Sequence, residues 1–117
     1  MDAAVNDRRI DYIEFPARDV AELKRFYGAV FGWGFEDYGP DYASFHDGRL
    51  AGGFSTELPA RVGGPLVVIY AADLEAARQR VEAAGGRVTR APFAFPGGRR
   101  FHFTDLSGNE LAVWSER

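Results

Sequence analysis

Residues 10–33 read IDYIEFPARDVAELKRFYGAVFGW, and this stretch decides the fold. Arg9 to Phe15 is strand-like: Ile13 and Phe15 fall on one face with Asp11, and Ile10, Tyr12 and Glu14 on the other. Pro16 has no N–H for a ladder and ends the strand. Asp19 suits a helix N-cap, because its short side-chain oxygen can accept from the free N–H groups of the first turn. Glu22, three residues on, completes a capping-box spacing. Val20, Leu23, Tyr27 and Val30, with Phe26 and Phe31 beside them, recur at the spacing of a buried helix stripe. Gly32 stands where a helix ends through a left-handed residue.

The same grammar returns, more weakly, at residues 65–87, PLVVIYAADLEAARQRVEAAGGR. Leu66 to Ala71 is a nearly continuous apolar strand. Asp73 caps a helix with Leu74, Ala77, Val81 and Ala84 at helical spacing, closed by Gly85-Gly86. A constant offset of 54 positions separates Asp19 from Asp73 and Gly32 from Gly86, which predicts two helices of equal length. After the first helix come strands at Trp33–Tyr38, Tyr42–His46 and Arg49–Phe54, the last two flanking Asp47-Gly48, a strong hairpin signal. After the second come a strand at Arg87–Arg90, a Pro-Gly loop through Gly98, and a hairpin of Arg100–Thr104 with Glu110–Trp114. The expected organisation is one α+β domain of two βαβββ units. Residues 1–8 form a loose leader, 9–54 the first unit, 55–64 a linker and 65–116 the second unit. Function should sit where the two sheets face each other.

Composition narrows the function classes. A chain of 117 residues with 46% hydrophobic and 26% charged residues can bury one sizeable core without staples. The ten Phe residues favour sheets around an apolar interior. Absence of cysteine excludes disulfides and thiolate metal sites. Residues 1–8 lack the apolar core of a signal peptide, and no apolar run approaches the roughly 20 residues of a membrane span, so a cytoplasmic protein is expected. A net charge of −3 with scattered basic residues argues against nucleic acid as a partner.

Three segments together carry a family resemblance: FYGAVFGW at 26–33, AADLEAARQRVEAAGG at 71–86 and TDLSGNELAVW at 104–114. Over roughly residues 9–116 the chain resembles the vicinal oxygen chelate superfamily, which includes glyoxalase I, the bleomycin-resistance proteins and the extradiol dioxygenases. The resemblance implies two βαβββ units whose eight strands form a cup-like sheet with helices on its outer face. It also implies a divalent metal in the cup, held by His and Glu from facing strands. The implied ligand positions fall on Tyr12, near Gly52, on Leu66 and on Ala112, and none of these is His, Asp or Glu. A register shift of one residue, to Val67, Leu111 or Val113, brings no donor either. No metal and no other cofactor is therefore expected.

The remaining polar residues each have a chemical role and a plainer one. If the last hairpin pairs symmetrically about Ser107, His102 lies opposite Ala112, an imidazole beside a vacated ligand position. A slip of one residue would turn it to the other face. Glu14 shares Tyr12's face and is a base, a ligand-orienting acceptor, or an interface residue paired with an Arg. His102 and Glu14 are the two acid–base candidates. His46 adjoins a turn and is expected to be exposed. Asp105 and Glu110 belong to a hairpin whose DLSGN run suits turn chemistry. Arg99-Arg100 is either solvated surface or an attractor of anions at the rim. Tyr12, Glu14, Phe45, Gly52, Leu66, Val68, His102, Ala112 and Trp114 make the expected ligand-binding set, a mainly apolar concavity with a few polar groups. The expected function is binding of a small, partly apolar or aromatic molecule, by a homodimer, as in the drug-binding branch. The alternative is a lyase, isomerase or dioxygenase-type enzyme, metal-independent or with a displaced metal site.

Overall fold

The computed structural model describes residues 5, 7–57 and 64–116; residues 58–63 of the expected linker and 1–4 and 6 of the expected leader lie outside the described set. The first unit runs β1 (Tyr12–Pro16), α1 (Val20–Phe31), β2 (Gly34–Asp37), β3 (Tyr42–His46) and β4 (Ala51–Ser55). The second runs β5 (Val67–Tyr70), α2 (Leu74–Ala83), β6 (Arg87–Phe95), β7 (Gly98–Thr104) and β8 (Glu110–Ser115). The eight strands hydrogen-bond as two four-stranded sheets, β1-β4-β3-β2 and β5-β8-β7-β6. In each, the first strand lies parallel to the last and the remaining pairs are antiparallel. The α+β arrangement of two βαβββ units is the one the repeat predicts.

Local chemistry accounts for the helices. Asp19 accepts from the Glu22 N–H at 3.2 Å and Asp73 from the Ala76 N–H at 3.0 Å, each satisfying a first-turn donor. Gly32 closes α1 at φ 72°, its N–H bonded to the Gly28 carbonyl. The helices are not equal: α1 has 12 residues and α2 has 10, because left-handed Gly32 itself caps α1, whereas Ala84 caps α2 and the left-handed residue, Gly85 at φ 93°, follows it. Gly86 is glycine for another reason. A Cβ there would lie 2.8 Å from Phe26 Cε1 and from Val81 Cγ1, where the two helices' side chains meet.

The loop expected over residues 91–98 is mostly strand. β6 runs nine residues to Phe95 and turns through Pro96-Gly97. Pro92 is tolerated because β6 is the edge of its sheet and its register shifts between Val88 and Arg90 and again between Arg90 and Phe93.

Both units share one core through α1. Tyr27, fully buried, packs against Phe15 and Phe54 of the first sheet, while Phe26 and Phe31 reach Phe103 of the second. Leu74, Ala77 and Val81 of α2 complete the cluster. The DLSGN turn adds a polar lock that turn chemistry alone does not require. Buried Asp105 accepts from the Ser107 and Asn109 N–H groups, from Asn109 Nδ2 and from Tyr27 Oη, at 2.9–3.0 Å. Asn109 Nδ2 also donates to the Pro16 carbonyl at 2.8 Å, and the Arg18 N–H to Ser107 Oγ at 2.8 Å, so the turn of the second unit grips the end of β1. Burial pushes the Asp105 carboxyl above its ordinary range, against the donors that pull it down. Burial, then the Asp105 charge beside it, holds the Tyr27 phenol well above its own. Among the described residues no helix is long and apolar enough to cross a membrane.

Candidate functional site

Each sheet has one face under the helices and one free of them. Ile13, Phe15, Phe45 and Phe54 point to the helix side in the first sheet, as do Phe101, Phe103, Leu111 and Val113 in the second. Alternation then places Tyr12, Glu14, Tyr42 and Gly53 on the free face of the first sheet. On the free face of the second, pairing aligns Phe93, Arg100, Trp114 and Tyr70 in one row. The adjacent row is Arg90, His102, Ala112 and Val68.

The first free face carries a short proton-ordered chain. Tyr42 Oη donates to Glu14 Oε2 at 2.9 Å and lies 2.5 Å from Tyr12 Oη, which leaves Tyr12 as the donor to Tyr42. Gly53 makes this possible: a Cβ there would lie 2.1 Å from Tyr42 Oη and 2.7 Å from Tyr12 Oη. Desolvation, then the hydrogen bonds to Tyr12 and Glu14, raises the Tyr42 pKa, so the phenol keeps its proton and stays a donor at neutral pH.

The second free face is aromatic and cationic. Trp114 meets Tyr70 edge-on at 5.1 Å between centroids and Phe95 at 6.1 Å. The Phe93 ring carries the Arg90 guanidinium 3.7 Å from its centroid, with that of Arg100 at 5.3 Å. His102 is only 12% exposed, its Nδ1 3.6 Å from Glu110 Oε2. His102 Nε2 and Arg100 Nε are buried without a hydrogen-bond partner.

Two concavities adjoin here. One of about 870 Å³ opens between the units, lined by Ile13, Trp33 and Phe45 on one side and by Val67, Ile69 and Trp114 on the other. A smaller one of about 330 Å³ lies on the second free face, bounded by Val68, Phe95, Gly97, Arg100 and Trp114. Val68 and Trp114 line both.

The structure thus brings together His102, Ala112, Val68 and Trp114 on one face, with His102 opposite Ala112 as symmetric pairing requires. Tyr12 and Glu14 share the other free face, linked through Tyr42. Phe45 and Gly52 lie on the helix side of the first sheet; the Phe45 ring fills the space over Gly52, and Phe45 reaches only the inter-unit cleft. Leu66 precedes β5 and is exposed, and His46 is exposed beside its turn. Tyr42, Gly53 and Phe95 join these residues without a sequence signal of their own. Tyr42 and Gly53 needed the pairing of β3 with β4, and Phe95 lay in the segment read as a loop.

Of the four implied ligand positions only Tyr12 carries a donor atom; Leu66 and Ala112 are aliphatic and Gly52 has no side chain. This donor set does not fit a divalent centre. Among the described residues no group of three or more His, Cys, Asp or Glu stands together.

The two paired βαβββ units with open, aromatic-lined concavities beside them define a small α+β scaffold. The family model of the Glyoxalase/Bleomycin resistance protein/Dioxygenase superfamily matches residues 9–113, and the chain belongs to that superfamily. An uncharacterized protein of Mycolicibacterium smegmatis is 27% identical over 113 residues, 95% of this chain and 97% of its own. The fold is similar to a glyoxalase-related enzyme from Fulvimarina pelagi, with TM-score 0.79 and 20% identity over 92% of this chain and 88% of that one. It is also similar to a lactoylglutathione lyase from Agrobacterium tumefaciens, with TM-score 0.72 and 21% identity over 92% and 93% of the two chains.

Proposed function

We propose that the protein binds a small, partly apolar or aromatic molecule in the concavity around Trp114, and does so without a divalent metal. The observation that carries this reading is the lining itself: Val68, Phe95 and Trp114 form an open apolar, largely aromatic wall beside the single polar side chain of Arg100, the usual make-up of a small-molecule site. The lack of donor atoms at Leu66, Gly52 and Ala112 supports metal-free binding. A homodimer fits the same reading, because Tyr12 on the first sheet and Leu66, Val68 and Tyr70 at the second are between 38% and 52% exposed, apolar surface that a second copy would cover. Native mass spectrometry of freshly purified protein, with elemental analysis after growth in Ni, Zn, Mn and Fe, tests it. A dimer carrying a small organic molecule and substoichiometric metal is expected; stoichiometric metal lost on substituting residues of the concavity would refute the metal-free reading.

One observation favours a second reading, metal-independent acid–base chemistry. The Tyr12–Tyr42–Glu14 chain ends on a carboxylate that can take up a proton passed through two phenols. Glu14 and His102 are the residues to substitute once a reacting molecule is in hand.

A further inference from the structure

The small concavity has a charge that the chain leaves unanswered. Among the described residues, ion pairs employ Arg8, Arg18, Lys24, Arg78 and His102, and none employs Arg100. Arg100 instead shares the Phe93 ring with Arg90, two like charges about one aromatic ring. Its Nε is buried and unbonded, and so is His102 Nε2 on the same face two residues on. A buried N–H with no acceptor is costly, and native chains leave few of them. A guanidinium is also built to meet a planar two-oxygen anion with two parallel bonds. Beside it stand Phe95 and Trp114, with Val68 and Gly97 closing a space of about 330 Å³.

On the basis of the small-molecule reading above, we propose that this concavity takes an aromatic carboxylate, its anion on Arg100 and its ring against Trp114 and Phe95. An aromatic ring placed there meets the edges and faces of two others, and its carboxylate turns the Arg100 fork toward itself and answers the cation. A neutral analogue keeps the ring contacts and loses the charge-assisted bonds, which are worth about tenfold or more in affinity. Arg99, next in sequence, is exposed and projects from the opposite face, so it serves as the internal control.

Isothermal titration of the full chain with naphthalene-2-carboxylate and with naphthalene-2-carboxamide, alongside quenching of tryptophan fluorescence, tests this. We expect the acid to bind at least about tenfold tighter than the amide. Arg100→Met should abolish that preference, bringing the acid-to-amide affinity ratio to about one, and Arg99→Met should keep it. Equal affinities for acid and amide in the unaltered protein overturn the anion assignment and leave the apolar-ligand reading standing. Binding of neither at millimolar concentration overturns both. If Arg100→Met dissociates a dimer and the acid preference survives, Arg100 answers a carboxylate of a second copy, which also overturns the assignment. Far-ultraviolet circular dichroism confirms that each variant is folded before it is scored.

Discussion

Replacing Tyr27 by Phe removes one oxygen from the centre of the molecule and little else. The ring is fully buried against Phe15, Phe26, Phe31, Trp33 and Phe54, and phenylalanine keeps all of those contacts. What disappears is the 2.9 Å bond from Oη to Asp105 Oδ2, one of four donors to a carboxylate that is 6% exposed. A hydrogen bond to a charged group contributes about 1.5–3 kcal/mol, so Tyr27→Phe should cost roughly that much. For a domain of this size the midpoint should fall by roughly 6–12 °C. The loss depends on pH with a definite sign. Asp105 is raised in the folded state above its ordinary 3.8 by burial, so the native chain holds its proton more tightly than the unfolded one. Stability from this group is therefore present in full below that value and lost as pH rises through the folded pKa. Removing a donor raises the folded pKa further, so the gap between variant and parent should be small near pH 4 and full by pH 8. Urea melts of both proteins across that range, at one fixed protomer concentration, measure it. A difference under about 0.5 kcal/mol at pH 8, or one of equal size at both ends, would refute the view that this bond serves a buried carboxylate.

Three further outcomes are expected. Gly86→Ala should destabilise by about 1–3 kcal/mol through overpacking, because its Cβ meets Phe26 and Val81 at 2.8 Å; a denaturant midpoint reads it. Gly53→Ala should cost little stability, since the phenols it displaces can swing toward solvent. It should, however, return the Tyr42 titration toward the ordinary value of 10.0, read from tyrosinate absorbance between pH 9 and 12, and Glu14→Gln should move it part of the way. Asp73→Ala should cost about 1 kcal/mol by freeing the Ala76 N–H, as equilibrium unfolding will report.

Periodicity and punctuation determined a great deal. The stretch from Ile10 to Trp33 specifies its own strand, cap, helix and stop because each rests on local chemistry: proline without an N–H, aspartate over free donors, glycine at positive φ. The repeat at residues 65–87 has the same local causes, and with the hairpin signals it yields the two βαβββ units. The pairing of His102 with Ala112 follows as well, since a symmetric turn sets the register. Where local signals conflicted with context, context won. Pro92 reads as a loop but sits in a strand, because an edge with register shifts needs no N–H there.

The site depended more on the tertiary structure. Tyr12 and Glu14 are visible in the sequence as neighbours on one face, but the Tyr42 that joins them comes from a strand two places across the sheet, over a glycine that the sequence does not distinguish from Gly52. Arg100 and Arg99 look alike as a basic pair; only burial and the row containing Phe93 and Trp114 separate a cation with a buried, unbonded Nε from an exposed one. The lock between the units is equally silent in the sequence, because Asp105 and Tyr27 stand 78 positions apart. Sequence fixes what each short segment prefers, since those preferences rest on bonds a few residues long. Which distant side chains meet, and which polar atoms are left without a partner, is decided when the faces are packed together.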